Sequence, residues 1–182
     1  MTVRVRDATA GDLDAMVEVF LACWRESYAE VLPPELTESM PEGRAQALWS
    51  AALAAPAGRI LVAEDGDSPG TLLGMTRHAL EPTVEHGVRV AVVESLYVSP
   101  TAQGRGLGKL LLGAAVDSIA ATAAHEARLW VFAANRPSID FYRSQGWRED
   151  GATRVEAAYG ELELRMSRPV PSRPSTPEVF RP

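Results

Sequence analysis

A chain of 182 residues with 46% hydrophobic content is long enough for one domain with a full core and too short for two. Its formal net charge of −6 argues against a nucleic-acid partner, which calls for a basic surface, and favours a cationic small partner. Cys23 is the only cysteine, which excludes an intramolecular disulfide and a cysteine-based zinc site, and no apolar run reaches signal-peptide or membrane-spanning length, so a cytoplasmic protein without a membrane role is expected.

Val3 and Val5 alternate with Arg4 and Arg6 at the period of a short first strand. Thr9 precedes Asp12 by a capping-box spacing, ahead of a helix with the apolar stripe Leu13, Met16, Val17, Phe20, Leu21 and Trp24. Cys23 beside that stripe reads as a small packed residue. Pro33 and Pro34 break the helical path before a second helix resumes over residues 41–53. Trp24, Tyr28 and Trp49 of this segment either line an acceptor pocket or pack in the core.

Residues 59–64 and 71–80 read as a strand pair joined through an Asp65-Gly66 turn, and residues 81–87 as a polar turn. From 90 to 98 almost every residue is apolar, as suits a strand buried on both faces, yet Glu94 lies in the middle of it. A carboxylate there is costly to leave unpaired: it serves as a base with a raised pKa, or it pairs with an arginine or points to an edge. Ser99-Pro100 stops the strand, and Gly104, Gly106 and Gly108 lead into a helix over residues 106–122 with Leu107, Leu110, Leu111, Ala114, Ala115 and Ile119 near one face. Strand, glycine turn and helix start form an anion cradle.

Residues 128–133 make a further buried strand, and the intervening helix makes it parallel to the one before. Asn135-Arg136-Pro137 starts a short helix through Ile139, Phe141 and Tyr142 that Gly146 ends, and strands near 154–158 and over 161–166 follow. The domain is expected to span residues 1–168. Residues 169–182, rich in proline and serine, form a tail that is either an extended appendage or an arm packed on the second subunit of a homodimer. His78, His86 and His125 are scattered and give no support to a metal site.

Two nucleotide patterns fail on spacing. A P-loop needs glycine five residues before its Gly-Lys pair and Ser or Thr after it, where this chain has Gln103 and Leu110. A dinucleotide fingerprint needs G-x-G-x-x-G and an acidic residue ending the next strand, where this chain has G-x-G-x-G and Ala133-Ala134. Gln103-Gly104-Arg105-Gly106-Leu107-Gly108 instead resembles the acetyl-CoA signature of the GCN5-related N-acetyltransferase (GNAT) superfamily. ESLYVSP resembles the strand ahead of that signature, and NRPSIDFYRSQGW the family's Asn, Phe-Tyr and Gly-aromatic segment.

The resemblance implies an α/β fold with a central mixed sheet whose fourth and fifth strands splay apart around the pantetheine arm. It implies acetyl-CoA as co-substrate, with the backbone of Leu96, Tyr97 and Val98 along the arm and an oxyanion donor near Leu96 or Tyr97. The amides of residues 104–108, with Gln103, Leu107, Arg105 and Lys109 around them, hold the pyrophosphate, and Asn135 orients the arm. Glu94 is the base, directly or through water, and Tyr142 protonates the leaving sulfur. WRESYAEVLPPEL is similar to a segment of family members that acetylate small molecules, which makes Trp24 and Tyr28 acceptor-site candidates. The expected activity is acetyl transfer to the primary amine of a small molecule by direct attack in a ternary complex. The alternatives are a protein N-terminal or lysine acceptor and a non-catalytic acyl-CoA sensor.

Overall fold

The computed structural model describes residues 2–29, 31–37, 40–85, 87–157 and 160–171. His86, Ala158 and the tail from residue 172 onward lie outside them. Seven strands, β1 (Val3–Asp7), β2 (Arg59–Asp65), β3 (Leu72–Glu85), β4 (Val88–Val98), β5 (Glu126–Phe132), β6 (Arg148–Glu156) and β7 (Glu161–Pro169), form one mixed sheet in the order β1-β2-β3-β4-β5-β7-β6. Both faces are covered, as near-continuous apolar strands require. On one face α1 (Leu13–Ala22) and α3 (Glu42–Ala54) bury Met16, Phe20 and Trp49 against Val62 and Met75. On the other, α4 (Leu107–Ala120) and α5 (Arg136–Ser144) bury Leu112, Ile119 and Ile139 against Ala91, Leu129 and Met166. A short helix, α2 (Pro34–Thr37), lies between the first two. No helix among the described residues is long and apolar enough to cross a membrane.

The capping box at Thr9 opens a 3-10 turn, Ala10–Asp12, before α1, with Asp12 Oδ2 accepting from Thr9 N–H at 2.7 Å. Arg6 then bridges Asp12 at 2.8 Å and Glu64 at 2.9 Å, tying the start of α1 to β2. At its other end α1 widens into a π-helical turn, Cys23–Ser27, a rearrangement frequent at functional sites.

β4 is antiparallel to β3 and parallel to β5, but it meets β5 only at Val90, Val92 and the residue between them. Beyond Val92 the two strands part, because β3 holds β4 to its end while β7 holds β5 along its whole length. Gly74 on β3 permits the tight packing beside this gap: a Cβ there would lie 2.6 Å from Tyr97 O and 2.9 Å from Leu111 Cδ1.

Several elements differ from those read in the sequence. Residues 81–85 continue β3 instead of turning, pairing Val84 with Arg89 and Glu85 with Val88. Pro82 is accommodated because the register is interrupted between Leu80 and Val84. β6 starts at Arg148, with an irregular register between Glu149 and Thr153 where Gly151 has φ +88°, so its charged first half shows no alternation. Leu110 is exposed on α4, and Leu112 and Val116 take places in the core; a helix this rich in Leu and Ala blurs its own period. β7 extends to Pro169, and Val170 is buried with its N–H on His125 O at 2.9 Å, so the body reaches Val170 rather than ending at 168.

Buried His78 on β3 is expected to make the fold acid-sensitive. It is buried with Nε2 2.9 Å from Ser118 Oγ, Nδ1 has no partner, and burial with Arg59 nearby pulls its pKa down from 6.5 to about 4. Between these values the unfolded chain holds the extra proton and the folded chain does not, so stability rises with pH across that window and is lost on acidification through it. The full shift corresponds to about 3 kcal/mol. Urea midpoints are expected to fall steeply from pH 7 to 4.5, and His78→Gln is expected to flatten that slope.

Candidate active site

The gap between β4 and β5 opens on a cavity of about 610 Å³ under α1 and α3. Trp24, Tyr28, Glu94, Leu96, Tyr97, Asn135 and Tyr142, all named from the sequence, line it together. Val98 and residues 103–109 are not among its lining; they carry the adjoining glycine loop at the end of β4.

A β-bulge aims Glu94. Arg77 faces Ser95 and the next residue, His78, faces Val93, so Glu94 is the extra residue on β4. Such insertions turn a side chain away from the regular alternation. Glu94 is therefore not an unpaired carboxylate inside an apolar strand: its side chain is 35% exposed and forms an ion pair with Arg77. The expectation of a base raised by burial loses its premise.

The register also separates the backbone groups of β4. Ser99 N–H donates to Leu73 O at 2.9 Å, and the alternation of an antiparallel pair then directs Tyr97 toward Met75 and Ser95 toward Arg77. Leu96 and Val98 turn their polar groups into the gap. Of the two oxyanion candidates, Tyr97 has its backbone engaged by β3 and contributes its ring to the cavity wall. Val98 O is occupied as well, accepting from Cys23 Sγ at 3.1 Å and from Gln103 Nε2 at 3.1 Å.

The glycine loop takes a left-handed backbone at two of its three glycines, with φ +74° at Gly104 and +81° at Gly106. Gly106 caps α4, and the first intrahelical bond runs from Leu110 N–H to Gly106 O at 3.0 Å. The amides of residues 107–109 thus have no partner within the helix and point along its axis toward any bound anion. Gln103 donates to Ser27 Oγ at 3.0 Å, binding the loop to the π-helical turn, and Arg105 donates to Thr101 O at 2.9 Å. Lys109 is exposed on the first turn of α4. Gly108 serves helix packing too, since a Cβ there would touch Phe141 Cζ at 3.4 Å.

Asn135 caps α5, its Oδ1 accepting from Ser138 N–H at 3.1 Å. Tyr142, about two helical turns on, packs against Phe141 and Trp147 at ring distances of 5.3 and 6.3 Å, and burial pushes its phenol up to about 12. Opposite, Trp24 and Tyr28 meet at 5.5 Å and Tyr28 meets Phe132 edge-on at 5.9 Å. Trp24 is almost fully buried, so it is core as well as wall. Cys23 is buried, and that burial raises its thiol to about 12.

Residues that sequence reasoning missed come from the strands on either side. Arg77 faces Glu94 from β3. Arg154 on β6 holds Glu163 at 2.7 Å and Glu156 at 3.2 Å and stacks 4.4 Å above the Trp130 ring. Arg77 carried a usable signal, as the one formal charge between Leu72 and Leu80 of β3; the β6–β7 group had none, because its meaning depends on register. A second cavity of about 360 Å³ shares Glu94, Trp130, Arg154 and Glu163 with the first and extends toward Leu80 and Pro82.

The model of the acetyltransferase (GNAT) family matches residues 13–147. A probable N-acetyltransferase of Mycobacterium tuberculosis is 26% identical over 162 residues, 83% of either chain. A mycothiol acetyltransferase of Gordonia bronchialis is 34% identical over 104 residues, which is 57% of this chain and 31% of that protein. The chain thus spans less than a third of that relative. Among solved structures, a GCN5-related N-acetyltransferase from Kribbella flavida superposes with a TM-score of 0.69 at 26% identity, covering 92% of this chain and 97% of that one.

Proposed function

The chain belongs to the acetyltransferase (GNAT) family, and from that premise we propose that it transfers the acetyl group of acetyl-CoA to a primary amine seated in the cavity. The observation that carries the proposal is the succession along and beyond β4 of a cavity holding both Glu94 and Tyr142, a strand gap and an anion cradle. The cradle suits a pyrophosphate: the amides of residues 107–109 are unpaired within the helix, and Gly104 and Gly106 keep side chains away from them. Coenzyme A bound there supplies the acetyl group as a thioester.

Each side chain then has a distinct task. Glu94 receives the proton that the amine loses as its nitrogen forms the C–N bond, through a bridging water. Leu96 N–H, turned into the gap, donates to the carbonyl oxygen as it becomes an oxyanion. Tyr142 faces the sulfur as the C–S bond breaks. A phenol at about 12 holds its proton more firmly than a thiol at about 8.5, so Tyr142 stabilises the thiolate as a hydrogen-bond donor more than it acts as a strong acid. Cys23 is the only thiol and is buried and engaged with Val98 O, which favours direct attack over an acyl-enzyme.

The acceptor is proposed to be a small amine with an apolar or aromatic body. Trp24, Tyr28 and Phe132 match the body, and Glu94, Glu156 and Glu163 outnumber Arg77 and Arg154 around the charge. A longer acceptor such as a peptide amine ranks second, favoured by the cavity that continues past Trp130 toward Leu80. Release of free coenzyme A thiol from acetyl-CoA, followed over a panel of alkylamines, arylalkylamines, diamines, amino acids and peptides, tests the proposal. Turnover is expected with at least one small amine. Release at the blank rate across the panel, with acetyl-CoA bound, would return the chain to the sensor alternative.

A further inference from the structure

We infer that Arg77 is a positioning residue, whose guanidinium holds the Glu94 carboxylate ionised and directed into the cavity. The inference rests on Glu94 being the base and adds the group that keeps it in that role. Arg77 stands opposite Ser95 at the bulge, so the strand register itself brings it beside the inserted Glu94. Its Nη1 donates to Glu94 and its Nη2 to Ala57 O at 3.3 Å. Gly58, at φ +95°, leaves room for it: a Cβ there would lie 3.0 Å from Nη2 and 3.3 Å from Cζ. The guanidinium is thus confined between the turn after α3 and the carboxylate.

This placement leaves Arg77 Nε buried without a partner, an arrangement that folded proteins seldom retain. A surface ion pair serving only to fasten the turn would not need that. The charges around Glu94 show what the contact supplies. From β3 come Arg77 and, across the smaller cavity, Glu81; from β6, Arg154 and Glu156; from β7, Glu163; and from α5, Tyr142. Arg154 is held by Glu163 and Glu156, so among the described residues Arg77 is the cation that balances Glu94. Without it Glu94 is left beside Glu81 and an Arg154–Glu156–Glu163 group that carries one net negative charge, and the proton it should accept during transfer would already be on it at higher pH.

The titration that tests it needs no acceptor. Full-length protein labelled with carboxyl-13C glutamate is titrated by NMR, with the Glu94 signal identified by its loss in Glu94→Gln. In Arg77→Gln the Glu94 midpoint is expected to rise by about one to two pH units. In Arg77→Lys, where one ammonium cannot bridge Ala57 O and Glu94 together, a smaller rise of about half a unit is expected. If Arg77→Gln does not fold, the lysine variant decides. A Glu94 midpoint unchanged from wild type in the folded variants overturns the inference. Turnover by Glu94→Gln on the same samples separates the two assignments: wild-type turnover removes Glu94 as base, whereas an unmoved midpoint removes only the role of Arg77.

Discussion

Replacing Tyr142 by phenylalanine is expected to lower kcat by about 10²-fold while leaving the affinity for acetyl-CoA unchanged. The change removes one hydroxyl from a ring whose packing against Phe141 and Trp147 stays in place, so the melting temperature should move little. The hydroxyl matters only when negative charge builds on the departing sulfur, which makes its loss a kcat effect rather than a KM effect. Burial keeps the phenol protonated throughout the working pH range, with its pKa at about 12, and the decrease should therefore be the same from pH 6 to 9. Pre-steady-state thiol release with saturating acetyl-CoA measures it. An unchanged rate would show that the sulfur leaves elsewhere.

Gly106→Val should weaken coenzyme A binding by about 10- to 100-fold, following from a backbone penalty of about 1–2 kcal/mol or more for a β-branched residue in the left-handed region. Gly106 sits at φ +81° as the cap of α4, and no atom lies within 4 Å of where a Cβ would be. The substitution is thus strained by conformation and not by crowding. The loop relieves the strain by turning away the amides of residues 107–109, and the fold survives because the affected backbone is exposed. Calorimetric titration with coenzyme A measures the effect. Gly108→Ala is the control: its Cβ meets Phe141 at an ordinary contact distance, and its affinity loss should be several-fold at most.

The glycine loop and the helices α4 and α5 were legible because their information is local. The glycine spacing, Asn135 ahead of Pro137, and Tyr142 followed by Gly146 each lie within a few residues of one another, and α4 and α5 formed where those signals placed them. The splay of β4 from β5 came with the family resemblance and is visible in a ladder that stops at Val92. What escaped depends on register. The bulge that frees Glu94 from its strand leaves no mark in an apolar run, and its partner Arg77 lies 17 residues away on β3. Likewise Arg154 and Glu163 become neighbours only through β6–β7 pairing, and Pro82 suggested a turn where an irregular ladder carries β3 onward. Gln103 shows the opposite case: its place in the signature was clear, yet its side chain faces Ser27 and Val98 O.

The proposed acceptor end is lined by side chains from α1, the strands β4 and β5, and the β6–β7 pair, so its chemistry emerges only after folding. Aromatic rings and paired charges both line it. The proposed ligand, with an apolar body and one ammonium group, would meet both kinds of wall, and the neighbouring cavity leaves room for a longer body.

The central claim is that transfer takes place where Glu94 and Tyr142 share one cavity. The most direct measurement compares wild type with the Glu94→Gln/Tyr142→Phe double variant, each saturated with acetyl-CoA and with the best amine of the panel, and follows thiol release in a single turnover. Equal coenzyme A affinity with release slowed by about 10³-fold is the predicted result. Release at the wild-type rate by a folded double variant would contradict it.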